Sequence, residues 1–385
     1  MIPVPFALER YFAAHEFSAQ RLLSSSDCDA LSLDDVLAHA DDDVTSRWQR
    51  LSLGYTESRG LPLLRQEIAR QYRGVDVDDV LCVVPQEGVL LGLSALVEPG
   101  VRVIATVPAY QSLIEVVRHR GGQVIPWQAR EQAQGFAFDV DELRTLLRPG
   151  EGPPVGVVVV NIPHNPTGAL PTPAEWQEIV DVVRAAGARL FCDEMYRGLE
   201  HVSTPEGPAT TLASAVDVDD RALVLSGLSK SLSAPGLRAG WLVTRDRALL
   251  QRLAVMKDWT TLCAPAPVEL LALAVLRRRE ELQASNRALI QKNLAVVDDV
   301  VAGDPRFAWP RPRGGSVGLL RLLREPSASA FCERVLRETG SMLVPGGLFD
   351  FGGAPPGDQH VRLGLGRASF AADFRDLVRR SDLFS

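Results

Sequence analysis

Lys230 stands in the run SGLSKSLSAPGLRAGW, and Arg238 follows it eight residues later. A lysine amine on a Ser/Gly-rich turn can condense with an aldehyde. A guanidinium at a fixed offset can hold a phosphate through two parallel hydrogen bonds. Most lysines are solvated surface, but this one lies among Ser, Gly and Leu, with no charged neighbour nearer than Arg238. Ser229 adds a hydroxyl that could donate to the same phosphate. The pair suggests a covalent amine beside an anion site.

Other residues supply the remaining parts of such a site. VGVVVVN runs into IPHNPTG, which puts Asn165 on a turn shaped by Pro166 and Gly168. Its amide could donate to a phenolate oxygen, although NPTG is also simply a good turn. ARLFCD ends in Asp193-Glu194-Met195-Tyr196. Asp193 opposite a pyridine nitrogen would favour the protonated ring, and Tyr196 could share the ring oxygen with Asn165. Starting a turn or capping a helix is the other reading of Asp193. Val84-Pro85-Gln86-Glu87-Gly88 joins a strand to a helix. Pro85 has no N–H, so Gln86 and Glu87 would supply the donors that make a helix N-terminus an anion site. Tyr110, in VPAYQSL, is placed to stack on a flat ring or to be an ordinary buried tyrosine. An aldehyde, a phosphate, a ring nitrogen and a ring oxygen are the parts of pyridoxal phosphate (PLP).

Elements of alternating type must position these residues. From about 75 to 245, short apolar runs alternate with helical stretches, as in a mainly parallel sheet covered by helices. The expected strands are 80–84, 101–107, 122–127, 155–161, 188–193, 222–227 and 239–244. Every candidate residue above then falls at the carboxyl end of a strand, where parallel α/β sheets bind ligands. Residues 246–300 read as helical, with apolar positions three and four apart. After Pro310-Arg311-Pro312 and Gly314-Gly315, the chain reads as a smaller α/β lobe.

The 385 residues exceed one typical domain, so two lobes are expected. The boundaries expected are 1–45 for an N-terminal segment packing with the small domain, 46–275 for the large domain and 276–385 for the small one. A net charge of −7 argues against a nucleic-acid surface. No apolar run approaches the ~20 residues that span a bilayer, and the N-terminus lacks a secretory pattern. Five scattered cysteines without a CxxC pair read as reduced buried thiols, and the six histidines show no metal spacing. No metal and no membrane or nucleic-acid partner is expected, and the compartment expected is the cytoplasm.

From LGYTESRGLPLLRQEIA to HVRLGLGR the chain resembles the fold-type I PLP enzymes, specifically the class I/II aminotransferases. NPTG, DEMY and GLSKSLSAPGLRAGW, in that order, carry the resemblance. It implies an α/β, three-layer PLP-transferase fold with a large, mainly parallel seven-stranded sheet domain and a smaller α/β C-terminal domain. It implies further that Lys230 carries the Schiff base, that Asp193 pairs with the ring nitrogen, and that Asn165 and Tyr196 bind the ring oxygen. Tyr110 would stack on the ring, and Arg238 and Ser229 would hold the phosphate. Tyr55 matches a tyrosine that reaches the phosphate across a homodimer interface with shared active sites. Arg362 matches the arginine that clamps the substrate carboxylate.

Three departures mark this chain. PQEG replaces a Gly-Ala or Gly-Ser phosphate turn, and Gly227 stands where many relatives have serine. Ser24-Ser25-Ser26-Asp27 replaces a Gly-Glu-Pro segment that approaches the substrate. Ser25, Ser26 and Asp27 therefore either tune specificity or form a capped turn before a helix at 31–40. The implied reaction is transfer of an amino group between an L-amino acid and a 2-oxo acid. The alternative is a PLP-dependent lyase, cyclase or oxidase of secondary metabolism, of which capreomycidine synthase-like enzymes are relatives. A PLP-sensing regulator would need an added basic DNA-binding module, for which this sequence leaves no room.

Overall fold

The computed structural model describes residues 4–148, 152–201, 212–349 and 358–380. All seven expected strands occur in one sheet, joined at its edge by an eighth. In space the order is Val80–Val83, Gly240–Val243, Leu223–Gly227, Arg189–Asp193, Val155–Asn161, Arg102–Val107, Gln123–Gln132 and Gly135–Phe138. Only Gly240–Val243 and the added Gly135–Phe138 run against the rest. The eighth strand closes a hairpin on Gln123–Gln132, with Gly135 at φ 112 taking a conformation that glycine tolerates.

The Val-rich run Val155–Asn161 shows why the sheet lies in the middle. Successive side chains of a strand point to opposite faces. Val158 and Val160 join a core with Trp176, Ile179, Val180 and Val183 of helix Pro173–Ala185. Val157 and Val159 join a second core with Val89, Leu91 and Leu93 of helix Pro85–Leu96. Both faces are covered, which gives three layers. Helix Pro173–Ala185 starts on a reciprocal cap: Glu175 N donates to Thr172 Oγ1 at 3.2 Å, and Thr172 N donates to Glu175 Oε2 at 2.7 Å.

A second, antiparallel sheet runs Phe307–Ala308, Val317–Leu322, His360–Gly364, Val344–Pro345. The N-terminal segment reaches it through Arg21–Leu22, which pairs in parallel with Ser341–Met342. Val36 and Val44, further along, pack instead in the core of the large sheet. Gly364 and Gly366 explain how residues 24–28 lie so close to the small sheet. A Cβ at Gly364 would fall 2.0 Å from Ser25 O, and one at Gly366 would fall 2.6 Å from Asp27 O.

Candidate active site

The carboxyl ends of five parallel strands converge. Val83 leads into helix Pro85–Leu96, Val107 into Tyr110, Asn161 into Asn165, and Gly227 into Lys230, while Asp193 closes its own strand. They border a cleft of about 750 Å³, which Arg362 and the 25–27 segment complete.

At one end lie the phosphate candidates. Gly88 N already donates to Val84 O at 2.9 Å, so Gln86 and Glu87 carry the free N–H groups of the first turn. Gly88 lets that turn sit close to the sheet, since a Cβ there would be 2.6 Å from Leu225 Cδ1. Only the backbone of Glu87 is available. Its carboxylate turns away to accept from Val84 N at 3.1 Å, Thr261 N at 3.2 Å and the Thr260 and Thr261 hydroxyls. Arg238 holds a left-handed backbone (φ 51), and its Nη1 donates to Ser229 Oγ at 3.5 Å and Pro235 O at 2.8 Å. Gly227 is forced by packing, because a Cβ there would meet Ala239 O at 2.9 Å.

Lys230 sits half-buried between this end and the ring-binding side, where its Nζ donates to Ser26 Oγ at 2.7 Å. Asp193 is buried, and its Oδ1 accepts from Met195 N at 3.0 Å. Burial pushes its carboxyl up to about 7, against the pull of that hydrogen bond and of Lys230. Tyr110 donates its hydroxyl to Glu9 Oε1 at 2.7 Å and packs on Phe6, with ring centroids 4.9 Å apart. Burial and then Glu9 raise its phenol.

Among the described residues, two donors here are available to a ligand, with Ser26 beside the first. The buried Tyr196 hydroxyl lacks a hydrogen-bond partner among the described residues. Asn165 spends its backbone N–H on Asn161 Oδ1 at 2.7 Å and its Oδ1 on Arg362, which leaves the amide NH₂ unengaged among the described residues. An orphaned hydroxyl, a free amide and a buried acid fit the oxygen and nitrogen of a pyridoxal ring. Gly168, at φ 67, keeps the NPTG turn tight, since a Cβ there would strike Pro312 Cβ at 2.2 Å.

Arg362 is 1% exposed. Its Nη1 donates to Asn165 Oδ1 at 3.2 Å and its Nη2 to Ser24 O at 2.8 Å. The rings of Phe12 and Phe349 lie 5.7 and 5.3 Å from its guanidinium carbon. Nε has no partner among the described residues. The arrangement is a rigid cationic fork with capacity left for a carboxylate.

The Ser24–Asp27 segment threads through the site and caps no helix. The cap of helix Leu33–Ala38 is Ser32, whose Oγ accepts from Asp35 N at 3.0 Å. Ser316 Oγ donates to Ser26 O at 2.6 Å, and Val344 N donates to Ser24 Oγ at 2.9 Å. The Ser25 hydroxyl is buried without a partner among the described residues, and Asp27 pairs with Arg367 at 2.9 Å.

The cleft has an acidic wall that local sequence patterns did not reveal. Glu9 and Glu16, at the two ends of helix Ala7–His15, join Asp27 there. The Glu16 carboxylate has no hydrogen bond or ion pair among the described residues, and burial followed by Asp27 raises its pKa. Phe12 and Phe349 were equally invisible, since only the pairing of 21–22 with 341–342 brings their elements together. Tyr55 lies outside this cleft and is 93% exposed, as are its neighbour Leu53 (83%) and Trp259 (87%). Among the described residues, no His/Cys/Asp/Glu group could hold a metal, and no helix is long and apolar enough to cross a membrane.

Residues 20–372 match the family described as aminotransferase class I and II. Capreomycidine synthase of Streptomyces vinaceus is 33% identical over 64% of this chain and 61% of its own length, so the chain spans under two thirds of that relative. An arginine–pyruvate transaminase of Pseudomonas aeruginosa is 29% identical over 81% of this chain and 77% of its own. The crystal structure of a PLP-dependent aminotransferase from Streptococcus suis superposes with a TM-score of 0.87 at 27% identity, covering 100% of this chain and 99% of that one.

Proposed function

The chain belongs to the class I and II aminotransferase family, and on that footing we propose that it moves an amino group between an L-amino acid bearing a cationic side chain and a 2-oxo acid. It is a PLP-dependent transferase. The observation that carries the reading is the convergence of Lys230, Asp193 and the buried fork of Arg362 on one cleft.

When bound, PLP supplies an aldehyde for amines and a ring that accepts the electron pair left on the amino acid's Cα. Gln86 N–H, Glu87 N–H, Ser229 and Arg238 would hold its phosphate, and Asn165 and Tyr196 its ring oxygen. Asp193 would keep a proton on the ring nitrogen. Its raised pKa falls back once a cation lies against it. Tyr110 would cover the ring face. Arg362 orients the substrate through its carboxylate, so that the Cα–H bond faces Lys230. The Lys230 amine then takes the Cα proton and returns one, a role worth ~10²–10⁴-fold for a positioned acid–base group.

Substrate class follows from the acidic wall. Arg362 selects the carboxylate end, while Glu9, Glu16 and Asp27 face the side-chain end with negative charge. The relative named arginine–pyruvate transaminase supports the same assignment. Tyr55 we assign to a partner copy's phosphate site, in a homodimer whose interface includes the exposed Leu53 and Trp259. Cytoplasmic placement accords with four buried free cysteines.

A second reading has one specific support, the relative named capreomycidine synthase. On that reading the same Cα chemistry ends in elimination, ring closure or oxidation instead of transfer. Purified protein given PLP, arginine and a 2-oxo acid distinguishes the two. Transfer requires the 2-oxo acid for repeated turnover and returns a new amino acid; a Lys230-dependent product formed in many equivalents per active site without any 2-oxo acid would overturn it.

A further inference from the structure

Resting on that reading, we propose that Ser26 is a positioning residue for Lys230: its hydroxyl accepts an N–H of the lysine amine and holds it on the side of the cleft that faces Arg362.

The geometry is built from three independent anchors. Lys230 Nζ reaches Ser26 Oγ at 2.7 Å across 204 residues of sequence. The Ser26 carbonyl is pinned by Ser316 Oγ at 2.6 Å, and two residues earlier Ser24 O takes Arg362 Nη2 at 2.8 Å. One short stretch of chain therefore touches both the group that holds the substrate carboxylate and the amine that acts on its Cα. Gly364 and Gly366 keep that stretch at backbone contact distance from the small sheet, so Ser26 has little freedom to retreat.

A lysine carries four rotatable side-chain bonds and loses about 2 kcal/mol of rotamer freedom when fixed. Once a substrate amine has displaced Lys230 from the cofactor, nothing covalent holds its amine. Ser26 holds it by accepting one hydrogen. That leaves the nitrogen lone pair free for the Cα proton and the serine O–H free to turn toward Tyr196, beside it. The proton moves from Cα to Nζ and the electron pair stays with the substrate, so Ser26 itself gains and loses nothing.

An acceptor on the amine also favours its charged form. Burial depresses the Lys230 ammonium, Asp27 and Glu9 raise it, and Arg362 and Arg238 lower it further. Asp193 on its strand end, Glu16 beyond helix Ala7–His15, the Cys28 thiol and the phenols of Tyr110 and Tyr196 are the other titratable groups around it. Ser26 is the uncharged contributor to this balance and can be removed without changing the net charge.

The test uses the unloaded protein and PLP itself. The rate at which the visible Lys230-dependent band grows is measured against pH, for the parent, Ser26→Ala, Ser26→Thr and Ser316→Ala. Capture needs the neutral amine, so its pH midpoint reports the lysine. A lost hydrogen bond to a charged group is worth ~1.5–3 kcal/mol, or roughly one to two pH units. Ser26→Ala should therefore have the lower midpoint, with about tenfold or more faster capture on the acid side. Ser26→Thr should return to the parent value. Ser316→Ala, which loosens the segment but keeps the hydroxyl, should titrate like the parent. In the loaded enzyme, Ser26→Ala should slow exchange of the substrate Cα hydrogen with solvent by about 10–100-fold while KM changes little. Coincident midpoints for Ser26→Ala and parent, or an equal shift in Ser316→Ala, overturn the inference. A parent band that persists in Lys230→Ala would instead overturn the functional reading beneath it.

Discussion

Arg362 on the small sheet and Asn165, just beyond a strand of the large one, share a hydrogen bond of 3.2 Å, so the proposed carboxylate clamp and the proposed ring-oxygen donor meet in one contact between the two sheets. Arg362→Lys keeps the charge but loses the planar fork and its stacking on Phe12 and Phe349. We expect kcat/KM for the amino acid to fall by about 10–100-fold, from loss of one or two charge-assisted hydrogen bonds. Steady-state kinetics check this, and a change within twofold would remove Arg362 from the clamp.

Asp193 links the site to stability. Burial raises its carboxyl from 3.8 to about 7, so the folded, unloaded protein holds a proton that the unfolded chain has released. Stability must then fall as pH rises between those two values. Asp193→Asn can still accept from Met195 N but never ionises. The unloaded variant should melt a few degrees above the parent at pH 8 and level with it near pH 4. Once loaded with PLP the order should reverse at pH 8, because only the carboxylate can pair with a protonated ring.

Selectivity should track the acidic wall. Glu16 is the wall's carboxylate without a partner among the described residues. Glu16→Gln should raise KM for arginine by about two- to fivefold, the range of a partly exposed ion pair. KM for alanine should stay where it was. Equal effects on both would show that the wall does not read the side chain.

Gly364→Ala tests how tightly the 24–27 segment is clamped. The new methyl would meet Ser25 O at 2.0 Å, so backbone must move. Overpacking of this kind costs about 1–3 kcal/mol. The midpoint of denaturant unfolding should fall accordingly, and activity should fall further than stability, since Ser24, Ser26 and Arg362 shift together.

The large sheet was legible because its strands are short Val- and Leu-rich runs, bounded by turns and buried on both faces. Gly135–Phe138 escaped notice because four residues hold no usable alternation. Asn165, Asp193 and Lys230 could be placed because each stands just beyond or at the end of such a strand. Glu9, Glu16, Phe12 and Phe349 could not. Each belongs to an element that reaches the cleft through contacts with distant chain segments, such as Glu9 with Tyr110 and 21–22 with 341–342, and nothing in their local sequence encodes such neighbours.

Ser24 and Arg362 lie 338 residues apart and yet bond to each other. During synthesis the first leaves the ribosome long before the second. The carboxyl edge of the large sheet can form while most of this interval is being made, but Ser24 has no guanidinium to accept from until strand His360–Gly364 is in place. Closure of so long an interval is also the slow kind of contact to make. Joining of the buried guanidinium to the 24–27 segment is thus a late event, and a chain cut before His360–Gly364 would keep Lys230 and Arg238 while losing Arg362.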